Sequence, residues 1–173
     1  LLTDQYYLQD SLEKFFQNKF KSNCSIGDKP FFNNKSLSAT PDLEKNFTDI
    51  RDEATEVLKR YDEIVPFQMI SPDQTFLSND DRWKMFYLKA VNIKFEKNLA
   101  MMPKTKALLE RNPDIISAYL SILGPRKHLP PHRGPWAGLL RAHLGLIIPD
   151  IKKCFIRVAN KKYYWKNGEV VFF

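Results

Sequence analysis

Apolar residues recur at two spacings along this chain, three or four residues apart in the first half and every second residue in much of the second. Leu8, Leu12, Phe15, Phe16 and Phe20 fall on one helical stripe, which predicts an amphipathic helix over about residues 4–20 with that stripe against the core. Residues 21–39 are polar and irregular, broken by Gly27 and Pro30. Thr40-Pro41-Asp42 then reads as a helix start: a hydroxyl cap, proline in the first turn and an acid at the positive end of the dipole. Leu43, Phe47, Ile50, Ala54, Val57 and Leu58 supply its buried face. A loop-rich connector (65–83) leads to a strand at 85–91, and PKTKALLER (103–111) reads as a short helix.

From Ile115 onward the period shortens to two. IISAYLSIL (115–123), LLRAHLGLII (139–148) and CFIRVA (154–159) predict strands, and KYYWKNGEVVFF predicts a hairpin around Asn167-Gly168, a pair suited to positive φ. Closely spaced strands with short turns imply a sandwich or small barrel after a helical N-terminal part. The expected division is a helical and looped part over 1–80 packed on a β core over 81–173, within one compact domain.

Composition adds a limit and a hint. With 43% hydrophobic and 27% charged residues the chain is an ordinary globular one. The net charge of +7 suits an anionic membrane surface or nucleic acid, but the basic residues are scattered and no nucleic-acid-binding signature accompanies them, so nucleic acid is not an expected partner. No apolar run is long enough to span a bilayer. Cys24 and Cys154 lack metal or redox spacing and fit a reducing, cytoplasmic compartment or the cytoplasmic face of a membrane.

The chemistry is concentrated in HLPPHRGPWAGLLRAHLGLIIP (128–149), which contains all three histidines. Pro130 and Pro131 keep His128 and His132 off a shared helix face. In an alternating strand 139–148, Leu140, Ala142, Leu144, Leu146 and Ile148 point one way and Arg141, His143 and Gly145 the other. Ser117, Tyr119 and Ser121 share a face of the preceding strand. Guanidinium, imidazole and hydroxyl lining one polar cavity would clamp a small dicarboxylate.

The stretch PHRGPWAGLLRAHLGLIIP closely resembles the signature of the aspartyl/asparaginyl β-hydroxylase family, and the likeness extends through WKMFYLKA, MMPKTKALLE and IRVANKKYYWKNGEVVFF. The resemblance implies a double-stranded β-helix (a jelly roll, cupin-like) and an Fe(II)- and 2-oxoglutarate-dependent dioxygenase. It makes His132 an iron ligand. It gives Arg141 and His143 the 2-oxoglutarate carboxylate nearest the metal, and it gives Ser121 a part in holding the far carboxylate; His128 receives no role. Gly134 stands where many such oxygenases carry a metal-binding acid, a position that water would fill in a hydroxylase and a halide in a halogenase. The family pattern continues past Phe173 with a second iron-binding histidine, a further arginine and more strands. None of these is in the 173 residues, so the sequence is expected to be a piece of a longer enzyme that binds iron poorly by itself. The substrate expected is a lipid acyl chain or an Asp/Asn-type peptide side chain; IRDEA and WKMFYLK favour the lipid branch, whereas His-Arg-Gly-Pro departs from it. A non-catalytic jelly-roll module that binds a small acid or lipid is the reading from another class.

Overall fold

The computed structural model describes residues 14, 15, 18, 19, 22, 29–33, 39–91, 93–134 and 139–173. Five α-helices and seven strands are formed by them: α1 (Thr40–Lys45), α2 (Phe47–Leu58), α3 (Phe67–Ile70), β1 (Trp83–Ala90), β2 (Ile93–Lys94), α4 (Glu96–Ala100), α5 (Pro103–Arg111), β3 (Ser117–Leu123), β4 (Ala142–Leu144), β5 (Phe155–Val158), β6 (Lys161–Tyr164) and β7 (Val170–Phe172). Three of these helices come before β1, and two more, including the one expected at 103–111, lie between β2 and β3, ahead of the remaining antiparallel strands. Of the helix expected over 4–20, residues 14, 15, 18 and 19 are helical and the remainder lies outside the described residues. Phe15, expected in the buried stripe, is exposed.

Strand β1 is the centre of a three-stranded antiparallel sheet in the order β2-β1-β3. Alternation gives it two apolar faces. On one, Phe86, Leu88 and Leu120 meet Ile50, Ala54 and Val57 of α2 and Leu108 and Leu109 of α5 around the fully buried Met102. The other face carries Trp83 and Met85, covered by Phe67 and Leu77, with Phe67 stacked on the Trp83 ring at 3.7 Å. Each large side chain removed from water here stabilises the fold by about 1.5–3 kcal/mol. The helices before residue 80 and the strands after it therefore share one core.

The helix start at Thr40 differs from expectation. Ala39 is the N-cap, no side chain caps it, and the buried Thr40 hydroxyl has no hydrogen-bond partner among the described residues. Asp42 instead reaches across to α5, accepting hydrogen bonds from Arg111 Nε at 2.9 Å and Asn112 Nδ2 at 2.7 Å, which hold its carboxyl below the usual range. Long-range charge pairing has replaced local capping.

Two strand expectations are corrected. The alternating run 139–148 forms a strand only at 142–144, because β4 pairs with β7, and beyond Leu144 the partner chain turns away. There Gly145 N–H donates to the Glu169 carbonyl, the Gly145 carbonyl accepts from Gly168, and the Asn167 side chain accepts from Ile148 N–H. A Cβ on Gly145 would sit 2.2 Å from the Lys166 carbonyl oxygen, so only glycine lets these segments approach. The Asn167-Gly168 turn exists, with Gly168 at φ +78°, but its flanking strands do not pair with each other: β6 pairs with β5 through a two-residue loop at 159–160, and β7 pairs with β4.

Helix α5 begins at Met102 without a cap from its own segment. Glu53 of α2 takes that part, accepting from Lys104 N–H at 2.7 Å and from both Thr105 N–H at 3.0 Å and the Thr105 hydroxyl at 2.7 Å. Replacing Glu53 by Ala removes an N-terminal acceptor and is expected to destabilise the fold by about 1–2 kcal/mol. Urea denaturation checks this; a midpoint equal to wild type would show that the contact contributes nothing.

Candidate functional site

The sheet face that carries Trp83 and Met85 continues through Tyr87 and, on β3, through Tyr119 and Ser121, because Tyr87 pairs with Tyr119 and Met85 with Ser121. The Tyr87 and Tyr119 rings lie 5.2 Å apart. Burial pushes the Tyr87 phenol up, Tyr119 adds to the rise, and the positive charge of Arg141 opposes it. Leu129 packs on this face as well, which brings the 128–134 turn over it.

Arg141 arrives from the other direction. Its backbone is fixed by two hydrogen bonds with Phe173, at 2.9 and 3.1 Å, which extend the β4–β7 ladder by one residue. Its half-buried side chain reaches Tyr119, Nη1 donating to the phenol oxygen at 3.3 Å. Gly134 lies against the guanidinium: a Cβ there would be 3.2 Å from Nη2. Among the described residues no carboxylate pairs with Arg141, and none of the salt bridges includes it. The cation is partly desolvated yet open to an anion, the arrangement that suits a bidentate carboxylate.

His143 is the second residue of the group. Its ring meets Phe173 edge-on at 4.7 Å and stacks near Trp165 at 5.8 Å. Burial, and then the charge of Arg141, lower its pKa to about 4. The imidazole is therefore neutral at pH 7, with one N–H to donate and one nitrogen to accept.

His132 is exposed on the turn between Leu129, anchored on the sheet, and Gly134, in contact with Arg141. Two residues of backbone span at most about 7 Å, so the His132 backbone, though no contact of its ring with the group is formed among the described residues, lies close to the Gly134 that flanks Arg141. Its Nδ1 lies 2.8 Å from the Pro130 carbonyl oxygen. A carbonyl can only accept, so Nδ1 is the donor of this bond, a backbone contact of the kind that orients a metal-ligating histidine and leaves Nε2 as the nitrogen that could bind a metal. The side chain thus fits Fe(II) as one ligand. No group of three or more His, Cys, Asp or Glu that could hold a metal forms among the described residues.

Ser121 stands apart from the Arg141 contacts. It is exposed, and its oxygen accepts the Trp83 indole N–H at 3.0 Å, which leaves its own O–H to donate. His128 is exposed and outside the group. Reasoning from sequence overlooked Tyr87 and the Phe173–Trp165 enclosure of His143. The period-two pattern of WKMFYLKA already sets Trp83, Met85 and Tyr87 on one face and could have found the first. The enclosure depends on β4–β7 pairing and has no local signal.

The sequence model of the aspartyl/asparaginyl β-hydroxylase family matches residues 44–173. The chain belongs to that family. It is 40% identical over 151 residues to the ornithine lipid ester-linked acyl 2-hydroxylase of Rhizobium tropici, an alignment covering 87% of this chain and 54% of that protein. Against the aspartyl/asparaginyl β-hydroxylases of Homo sapiens and Mus musculus it is 34% and 35% identical over 136 residues, 76% of this chain but 17% and 18% of theirs. The chain thus spans about half of the bacterial relative and under a fifth of the mammalian ones. No helix among the described residues is long and apolar enough to cross a membrane.

The depressed pKa of His143 has a consequence for stability. Between pH 6.5 and about 4 the unfolded chain binds a proton at this position and the folded one does not, so stability falls as pH drops through that window. The loss attributable to His143 reaches about 3 kcal/mol at its lower end. Urea denaturation across pH 7 to 4.5, above the range in which the low-pKa carboxylates titrate, should show a shallower decline for His143→Gln than for wild type. Parallel declines would contradict a neutral, enclosed imidazole.

Proposed function

We propose that this chain carries part of the active site of an Fe(II)- and 2-oxoglutarate-dependent hydroxylase whose substrate is a lipid acyl chain. The observation that carries the reading is the half-buried Arg141, which has no carboxylate among the described residues and lies beside neutral His143 and the phenol of Tyr119. Arg141 would bind the 2-oxoglutarate carboxylate nearest the metal through its two-pronged fork, while His143 donates one hydrogen bond without adding charge. Tyr119 accepts a hydrogen bond from the guanidinium, and Ser121, further along the same face, would donate its O–H to the far carboxylate. Gly134 supplies no ligand and no negative charge; an acid there would pair with Arg141 and compete with the co-substrate.

His132, through Nε2, would hold the metal as one of its ligands. The bound iron, with 2-oxoglutarate and dioxygen, supplies the oxidising power that a polypeptide lacks. The residues of the chain position the co-substrate and keep its charge matched. Tyr87, Tyr119 and Phe95 give the face an aromatic lining suited to an alkyl chain. In this reading the strands around β1 and β4 belong to a double-stranded β-helix. The identity to the acyl 2-hydroxylase of Rhizobium tropici supports a lipid substrate over a peptide one.

Full-length protein supplied with Fe(II), 2-oxoglutarate and a phospholipid or aminolipid substrate should release succinate in step with hydroxylated acyl product. His132→Ala should lower kcat by at least about 100-fold. Succinate release with Asp- or Asn-containing peptides alone would move the substrate to the peptide class. No succinate with any substrate, alongside retained 2-oxoglutarate binding, would indicate a non-catalytic binding module.

A further inference from the structure

Exposed apolar side chains outside the candidate site gather around α3, on the β1–β2 hairpin and on the β5–β6 pair, where Phe155 and Tyr164 stand beside Ile151, and charge separates the first from the other two. The first comprises Val65, Met69 and Phe76 around α3, with Met69 73% and Phe76 69% exposed. It sits in the segment 61–81, which holds five acids and no lysine or arginine; Glu63 is paired with Arg60 and Asp80 with Arg82 and Lys127, which leaves Asp62, Asp73 and Asp81 without a cationic partner among the described residues. The second is the β1–β2 hairpin, where Val91 and Ile93 are 68% and 66% exposed and Phe95 follows at 39%. The segment 89–106 around it carries five lysines and a single acid, a net +4 out of the chain's +7.

Several of those lysines surround the hairpin's base. Lys89, Lys94 and Lys106 line a pocket of about 220 Å³ floored by Leu99 and Leu109, with Glu110 at its edge. Lys94 lies 3.6 Å from Glu110, and Lys106 pairs with Glu96, both on the exposed surface where such pairs exchange readily with other anions. Lys97 has no acidic partner among the described residues. Val91 itself is at φ +42°, a conformation that glycine or asparagine adopts at low cost and a β-branched residue does not. The turn thus keeps an apolar side chain in water at a position where backbone strain favours its removal.

The hairpin also leads to the site. The Phe95 ring lies 5.7 Å from Tyr87, Tyr87 lies 5.2 Å from Tyr119, and Tyr119 meets Arg141. An aromatic track therefore runs from the exposed edge to the co-substrate cation.

We propose that the β1–β2 hairpin is the edge by which the protein docks on an anionic lipid bilayer, with Val91 and Ile93 entering the interfacial layer and Lys94 and Lys97 at the level of the lipid phosphates; Lys89 is held inward by its bond to the Ile115 carbonyl. The inference rests on the lipid reading given above and names the surface through which that substrate is reached. Apolar tip and basic flank are the two attractions that an interfacial binder combines. The acidic surroundings of Met69 and Phe76 oppose the same role for that patch; the β5–β6 pair is basic as well, and the track from Phe95 through Tyr87 to Tyr119 is what favours the hairpin.

Co-sedimentation of the full-length protein with vesicles of phosphatidylcholine alone, and of phosphatidylcholine doped with phosphatidylglycerol, tests the proposal. Wild type should partition onto the doped vesicles and be partly released by salt. The double variant Val91→Gly/Ile93→Ser should bind at least about tenfold more weakly. Its thermal midpoint should stay near wild type, because glycine relieves the turn; Ile93→Ser alone provides a second measure. Met69→Ser/Phe76→Ser should bind as wild type. Unchanged binding by the hairpin variants, no preference for doped vesicles, or loss of binding confined to the Met69/Phe76 variant would each overturn the proposal. Partition is read without turnover, so the two readings fail separately. Hairpin-dependent binding by an enzyme that hydroxylates only peptides removes the lipid substrate, whereas lipid turnover unaffected by the hairpin removes the docking edge.

Discussion

A guanidinium withdrawn halfway from water, with no carboxylate beside it among the described residues, is the constraint around which the second half of this chain is arranged. Arg141 is fixed at its backbone by the ladder to Phe173 and at its tip by the Tyr119 phenol, and Gly134 closes against its flank. Among the described residues Arg111 has Asp42, Arg82 has Asp80 and Arg60 has Glu63, while Arg126, Arg133 and Arg157, which also lack a carboxylate, are exposed to water as Arg141 is not. A partly desolvated cation without a carboxylate among the described residues suits an anion from outside them. The neighbouring imidazole follows from the same constraint. Enclosed by Phe173 and Trp165 and beside a fixed positive charge, His143 stays neutral and offers a hydrogen bond without further repulsion.

The central sheet makes this arrangement possible by having two occupied faces. One is spent on the helices, where Phe86, Leu88 and Leu120 close over Met102 and α2. The opposite face is left to aromatic and hydroxyl-bearing residues, and the histidine turn is drawn over it by Leu129. Glu53 capping α5 and Asp42 bridging to Arg111 fix the helical layer from within. The site face can therefore remain incompletely covered without loss of the core. The same sheet ends at its β2 edge in the basic, apolar hairpin, so the proposed docking edge and the proposed co-substrate site lie on one sheet.

What the sequence revealed follows physical range. The helix 103–111 was legible to the residue because proline and apolar spacing act within a turn or two. Arg141 and Tyr119 were placed on site-facing sides by alternation alone, and the structure brings them to 3.3 Å. The failures lie where distant partners decide. Thr40 looked like a cap but is buried without a partner, since Asp42 answers to α5 69 positions away. The strand 139–148 was too long because its partner, β7, turns at Gly168. The supposed 162–173 hairpin failed for the same reason, its two strands being claimed by β5 and β4. Ser121 shares the face that alternation assigned it, though the local demand of the Trp83 indole, invisible in the sequence, occupies one of its lone pairs.

The central claim is that Arg141 is held open to receive a carboxylate of 2-oxoglutarate. Equilibrium binding of 2-oxoglutarate to full-length protein, measured anaerobically with Fe(II) for wild type and Arg141→Gln, tests it most directly. Truncating one partner of a desolvated charge pair should weaken Kd by about 30-fold or more, with the unfolding midpoint little changed. An Arg141→Gln protein that folds and binds 2-oxoglutarate as tightly as wild type would contradict the account.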